Sequence, residues 1–103
     1  MIHVVATIQT APGKRDAFLE EFARIVPLVL DEKGCISYGP TIDVETSLES
    51  QYRDAQEVVV IEQWESLPAL EAHLVAPHML EYRERVADLV EGATLRILEA
   101  PVG

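Results

Sequence analysis

Val58-Val59-Val60-Ile61-Glu62-Gln63-Trp64-Glu65-Ser66-Leu67-Pro68-Ala69-Leu70-Glu71-Ala72-His73 decides the fold, because an extended run passes into a capped helix within a few residues. Val58 to Ile61 is β-branched throughout and too short for a helix of its own. It reads as a buried strand that continues through Glu62 and Trp64. Alternation along a strand puts Glu62 and Trp64 on one face and Gln63 on the other. Ser66 then offers a side-chain acceptor to the free N–H groups of a following helix, and Pro68 fits a first turn where no donor is needed. The spacing predicts a helix from about Leu67. His73 falls about two turns in, three residues after Leu70, on the side that faces the core. An acid, an indole and an imidazole thus meet at one strand-to-helix junction.

Working outward, Ile2 to Thr10 is rich in β-branched residues and runs into Ala11-Pro12-Gly13, a strand followed by a turn. From Lys14 the period changes: Phe18, Phe22, Ile25 and Val29 recur at helical spacing, Leu19, Val26 and Leu30 widen the stripe, and Arg15, Asp16, Glu20, Glu21 and Arg24 take the other side. Pro27 inside this pattern predicts a kink or a division, since it removes a donor and crowds the carbonyl four residues back. Gly34 fits the left-handed position that ends a helix. Cys35 to Tyr38 starts a second strand, interrupted at Gly39-Pro40 and resumed from Thr41 to Val44. Glu45 to Gln56 is a polar loop with a short extra strand near Leu48 to Tyr52. Beyond the His73 helix, Pro77 breaks the pattern, and Met79, Tyr82, Val86, Leu89 and Val90 form another helical stripe. Gly92 ends it, and Ala93 to Glu99 is the last strand. The order β-α-β-β-α-β in a chain of this length predicts a ferredoxin-like α+β sandwich, four antiparallel strands with the helices on one face. Apolar residues at both parities of Ile2 to Ala6 and Val58 to Ile61 predict that the other face is covered too, by a second copy joined sheet to sheet.

A chain of 103 residues with 49% hydrophobic content makes one domain, residues 1–103, with a single core and much apolar surface left over. A formal charge of −10 repels phosphate backbones and anionic lipid, so neither nucleic acid nor a membrane surface is expected as a partner. A small uncharged substrate suits the chain better. The lone Cys35 allows no internal disulfide, and Met-Ile-His-Val-Val lacks the basic region and small-residue cleavage site of a signal peptide, so a cytoplasmic setting is the expectation.

The chain resembles the antibiotic biosynthesis monooxygenase (ABM) family, and within it the YgiN-type quinol monooxygenases. The likeness is carried by the Pro-Gly turn after the first strand, by Ile25-Val-Pro-Leu-Val-Leu, Glu32-Lys-Gly-Cys-Ile-Ser-Tyr38 and Ile61-Glu-Gln-Trp-Glu-Ser66. It continues through Leu70-Glu-Ala-His-Leu74, Pro77-His-Met79 and Leu95-Arg-Ile-Leu98. Each is weak alone; their order and spacing are specific. The resemblance implies a dimeric α+β barrel. It further implies an enzyme that oxidises a hydroquinone or phenol with molecular oxygen and without metal or flavin. The chemistry then requires mainly a base and an apolar pocket, because a deprotonated quinol is electron-rich enough to reduce triplet oxygen directly.

On that reading His73 is the base and Glu62 fixes its tautomer or takes the proton itself. Trp64 and Tyr38 frame the planar substrate, and Phe22, Met79 and Tyr82 line the pocket where helices meet sheet. Each has a plainer alternative: a hydrogen-bonded core imidazole, a strand-end carboxylate paired with Arg96, core aromatics. His78, at the start of a helix, is expected to be exposed. His73 and His78 stand five apart across a helix break and Cys35 is distant, so no metal site is expected. Haem degradation, as in another branch, requires an Asn on the first strand that is absent here, and His73 and Arg83 occupy the helix positions. Two further functions stay open: acid–base isomerisation or breakdown of a small signalling sugar, and a non-catalytic quinone-binding stress module.

Overall fold

A computed structural model of the chain describes residues 1–102. In chain order the elements are β1 (Ile2–Thr10), α1 (Arg15–Leu30), β2 (Cys35–Thr41), β3 (Glu57–Trp64), α2 (Leu67–Leu74), α3 (Pro77–Arg85) and β4 (Val90–Leu98), with a single 3₁₀ turn at Ala87–Leu89 before β4. The strands form one antiparallel sheet in the order β2-β3-β1-β4, the ferredoxin-like arrangement. The second helical region is two helices, because Pro77 cannot continue α2 but fits the first turn of α3.

Register fixes what the helices see. Val4 pairs with Glu62 on one side and Ile97 on the other, and Glu62 pairs with Tyr38, so Tyr38, Glu62, Val4 and Ile97 form one row across the sheet. Val4, Val58, Val60, Glu62 and Trp64 are buried on this face, against Phe18, Phe22, Ile25 and Val29 of α1, Leu70 of α2 and Met79 and Tyr82 of α3. Alternation sends Ile61 to the opposite face, where it is 50% exposed. Arg96 pairs with Val5 and shares that opposite face, so it cannot serve Glu62.

Several local expectations change. Pro27 does not divide α1, which runs unbroken with buried side chains on both sides of the proline, although Leu30 ends up exposed. β2 passes through Gly39 and Pro40 and stops at Thr41; as an edge strand paired only with β3, it tolerates a residue that cannot donate. No strand forms near Leu48 to Tyr52. That loop is tied by its own side chains, with Asp43 accepting the Asp54 N–H at 2.7 Å and Gln51 donating to the Val44 carbonyl at 2.8 Å. β4 begins at Val90 rather than Ala93, with Gly92 inside it, close to the register shift opposite Gln9 and Thr10.

Gly34 is needed twice over. Its φ of +87° is left-handed, and a Cβ there would come within 2.6 Å of the Ala69 Cβ. The Gly34 carbonyl also accepts the Glu65 N–H at 2.8 Å, which staples the α1–β2 turn onto the β3–α2 junction. Glu32 stands in that turn.

Candidate active site

Ser66 caps α2 as its position predicts, accepting the Ala69 N–H at 3.3 Å. The cap sets the helix phase that turns His73 inward, where it is 2% exposed. Its ring lies 4.6 Å from the Trp64 ring and meets Tyr38 edge-on at 5.4 Å, centroid to centroid. Burial pulls the imidazole below its ordinary pKa, while the Glu32 carboxylate pulls the other way. His73 Nδ1 is 2.9 Å from Glu32 Oε2. A carboxylate can only accept, so Nδ1 carries the proton and Nε2 keeps its lone pair.

Glu62 is 5% exposed and accepts the Trp64 indole N–H at 2.9 Å. Burial raises its carboxyl above the usual range, the indole hydrogen bond opposes this, and the Glu32 charge adds to the rise. Beside these residues opens a cavity of about 430 Å³ lined by Phe22, Tyr38, Glu62, His73, Met79 and Tyr82, with Ala6, Ile8, Val60 and Val86 among its apolar walls and Arg83 its one basic residue. Phe22 stacks on Tyr38 at 5.4 Å and meets Tyr82 edge-on at 5.8 Å, which fixes one wall of flat rings. Burial, then the Glu62 charge, pushes the Tyr38 phenol above its ordinary range, and burial does the same to Tyr82. Both hydroxyls stay protonated and available as donors.

Residues 1–85 match the model of the antibiotic biosynthesis monooxygenase family. The chain belongs to this family. It is 46% identical over 101 residues to the probable quinol monooxygenase YgiN of Escherichia coli strain K12, spanning 96% of this chain and 97% of that protein. Solved folds agree. The crystal structure of PA3566 from Pseudomonas aeruginosa superposes with a TM-score of 0.80 at 27% identity, over 96% of this chain and 92% of that one. Rv0793 from Mycobacterium tuberculosis gives 0.79 at 27%, over 99% and 95%. Monooxygenase chemistry is the general function that membership carries.

In this cavity the residues read from the sequence converge with two adjustments. Phe22, Tyr38, Glu62, His73, Met79 and Tyr82 share the cavity, whereas Trp64, fully buried, packs behind Glu62 and His73 instead of lining it. The carboxylate that reaches the imidazole is Glu32, not Glu62. Glu32 carries no periodic signal, and the His73 it meets lies 41 positions later in the chain. Its place at the head of the Glu32–Tyr38 motif was the available sign. His78, expected in solvent, has a side chain only 22% exposed and bonds the same Glu32 oxygen at 2.8 Å through Nε2. Glu32, His73 and His78 are also the group of three among the described residues whose donor atoms lie close enough to hold a metal ion.

Proposed function

We propose that the protein is a cofactor-independent monooxygenase that oxidises a small hydroquinone or phenol with molecular oxygen, with His73 as the base. The observation that carries this is the buried imidazole, held through Nδ1 by Glu32 at 2.9 Å, on the wall of an apolar cavity. Nε2 takes the quinol hydroxyl proton, and the imidazolium so formed is stabilised by Glu32 as in a catalytic triad. The quinolate passes one electron to oxygen, giving semiquinone and superoxide. Their recombination forms a C–O bond, and loss of water yields a hydroxylated quinone: one quinol and one oxygen molecule consumed, one water released. Tyr38 and Tyr82 donate to the substrate oxygens, and Phe22 supplies a flat face. Glu62, raised toward neutrality by burial, relays or returns the proton. One basic lining residue, Arg83, is thin provision for a phosphorylated sugar, which favours the quinol over the isomerase reading.

We further propose a homodimer. Ile61, central on the sheet face away from the helices, is half exposed. A partner covering this surface would remove that apolar area from water. Sedimentation at micromolar concentration checks it, and a compact monomer would refute it. Among the described residues no helix is long and apolar enough to cross a membrane, and the free Cys35 thiol suits a cytoplasmic setting.

Oxygen uptake with menadiol tests the activity, using chelator-treated wild type, His73→Ala and heat-killed protein. Uptake above autoxidation that collapses in the variant supports both the reaction and the base. Equal rates in all three would remove the quinol reading.

A further inference from the structure

Behind the cavity, three side chains reach one point from three elements. Glu32 comes from the turn after α1, His73 from α2 and His78 from the first turn of α3, and their donor atoms all lie within 4.8 Å of one another. Both imidazoles converge on one oxygen, Glu32 Oε2, at 2.9 and 2.8 Å. We propose that Glu32, His73 and His78 form a binding site for a divalent ion of the zinc class, and that filling it disables His73 as a base. The second clause rests on the quinol reading; the first does not.

Zinc–ligand bonds of about 2.0–2.2 Å with tetrahedral angles hold ligand atoms about 3.3 Å apart. The two carboxylate–imidazole separations, 2.9 and 2.8 Å, would open by about half an ångström to accept an ion. Two imidazoles and one carboxylate are a donor set that zinc takes with a fourth position left for water, whereas magnesium and calcium favour oxygen throughout. The side chains of His78 and Glu32 are 22% and 14% exposed, so an ion reaches them from solvent without crossing the cavity. The Arg83 charge felt at His73 opposes binding, and the Glu32 carboxylate offsets it.

The exclusion follows from proton counting. Neutral imidazole carries one N–H. With that proton on Nδ1, donated to Glu32, Nε2 is free to accept from a quinol. A metal on Nδ1 needs the lone pair of that nitrogen, so the ring proton moves to Nε2, which becomes a donor instead of an acceptor. No electron moves, and His73 gains and loses no proton overall. The same residue serves as base or as ligand, never both.

Calorimetric titration of chelator-stripped protein with ZnCl₂ tests the site, with the visible absorption of added Co²⁺ as a second signal. One ion per chain is expected, with affinity falling at least about tenfold in both His78→Ala and Glu32→Gln, and no heat from MgCl₂. Thermal melts of the ion-free variants confirm that they fold, and either variant alone decides the matter. No binding by wild type, or equal affinity in a folded variant, overturns the site. Zinc-saturated protein should lose menadiol oxidation and regain it with EDTA; full activity with zinc bound overturns the exclusion. A protein that binds zinc through these residues but never oxidises menadiol sinks the quinol reading and leaves the site standing.

Discussion

Glu32 and Glu62 are the same residue in two settings, one bonded to the His73 imidazole and the other sharing the cavity wall with it. Glu32, in a turn and partly open to solvent, receives two imidazoles on one oxygen. Glu62, buried between Tyr38 and Val4 in the sheet, receives only the Trp64 indole N–H, and burial drives its carboxyl toward the neutral form. At Glu62 one neutral donor in an apolar wall does not offset the desolvation of a charge. One acid holds the imidazole by hydrogen bonding, and the other is a buried carboxyl on the same cavity wall.

The sharpest way to break the comparison is to remove the imidazole that Glu32 holds. His73→Ala should lower kcat for menadiol oxidation by about 10²–10⁴-fold, the usual range for a general base. Oxygen electrode traces at saturating quinol would read it, and a loss under threefold would demote His73 to packing. Next comes Glu32→Gln, which keeps the size but lets the amide offer either its oxygen or its N–H₂ to Nδ1. A fall in kcat of about 10²-fold or more with little change in KM is expected, since an amide partner can select the wrong tautomer. If KM rises and kcat holds, Glu32 shapes the pocket instead of orienting the base. Phe22→Ala should cost stability as well as a cavity wall: Phe22 is 2% exposed, and truncating a buried phenylalanine costs about 3–5 kcal/mol. Urea denaturation would show it.

These residues were unequally legible in the sequence. The β-branched run from Val58, the Ser66 cap and the Leu70–His73 spacing are local signals with fixed periods, and they placed Glu62, Trp64 and His73 on one side of the sheet correctly. The strand order followed from element order, because a chain this short has few unknotted ways to close β-α-β-β-α-β. Glu32 was hidden for a physical reason. Its role depends on a turn docking, through the Gly34 carbonyl and the space left by the missing Gly34 side chain, onto a helix far along the chain. His78 escaped for the same reason: helix position alone points it to solvent, and only Glu32 turns it in. Pro27 and Pro40 misled in the other direction, since packing on both sides of one and an edge position for the other override local propensity.

The smallest predicted effect separates the two carboxylates most cleanly, because the same substitution should move stability in opposite directions. Glu32→Gln takes a carboxylate acceptor from two imidazoles and should destabilise by about 1.5–3 kcal/mol, the usual contribution of hydrogen bonds to charged groups. Glu62→Gln keeps an acceptor for the Trp64 N–H while removing a charge that burial penalises, so it should stabilise. The sign follows from proton binding: the Glu62 pKa is raised on folding, so the folded chain holds its proton more tightly than the unfolded chain does. That contribution is fully present below the ordinary value of 4.5 and is lost as pH rises through the folded-state value. Subtracting the variant's stability from wild type's isolates this term from every other titrating group. The difference should grow more unfavourable to wild type from pH 4.5 upward and then level off. A gain of about 1 kcal/mol in the variant would raise Tm by roughly 4–8 °C in a domain of this size, within reach of scanning calorimetry. A difference that is flat with pH would mean that Glu62 ionises as freely as an exposed carboxylate. The cavity wall would then carry a charged acid at Glu62 in place of a proton donor.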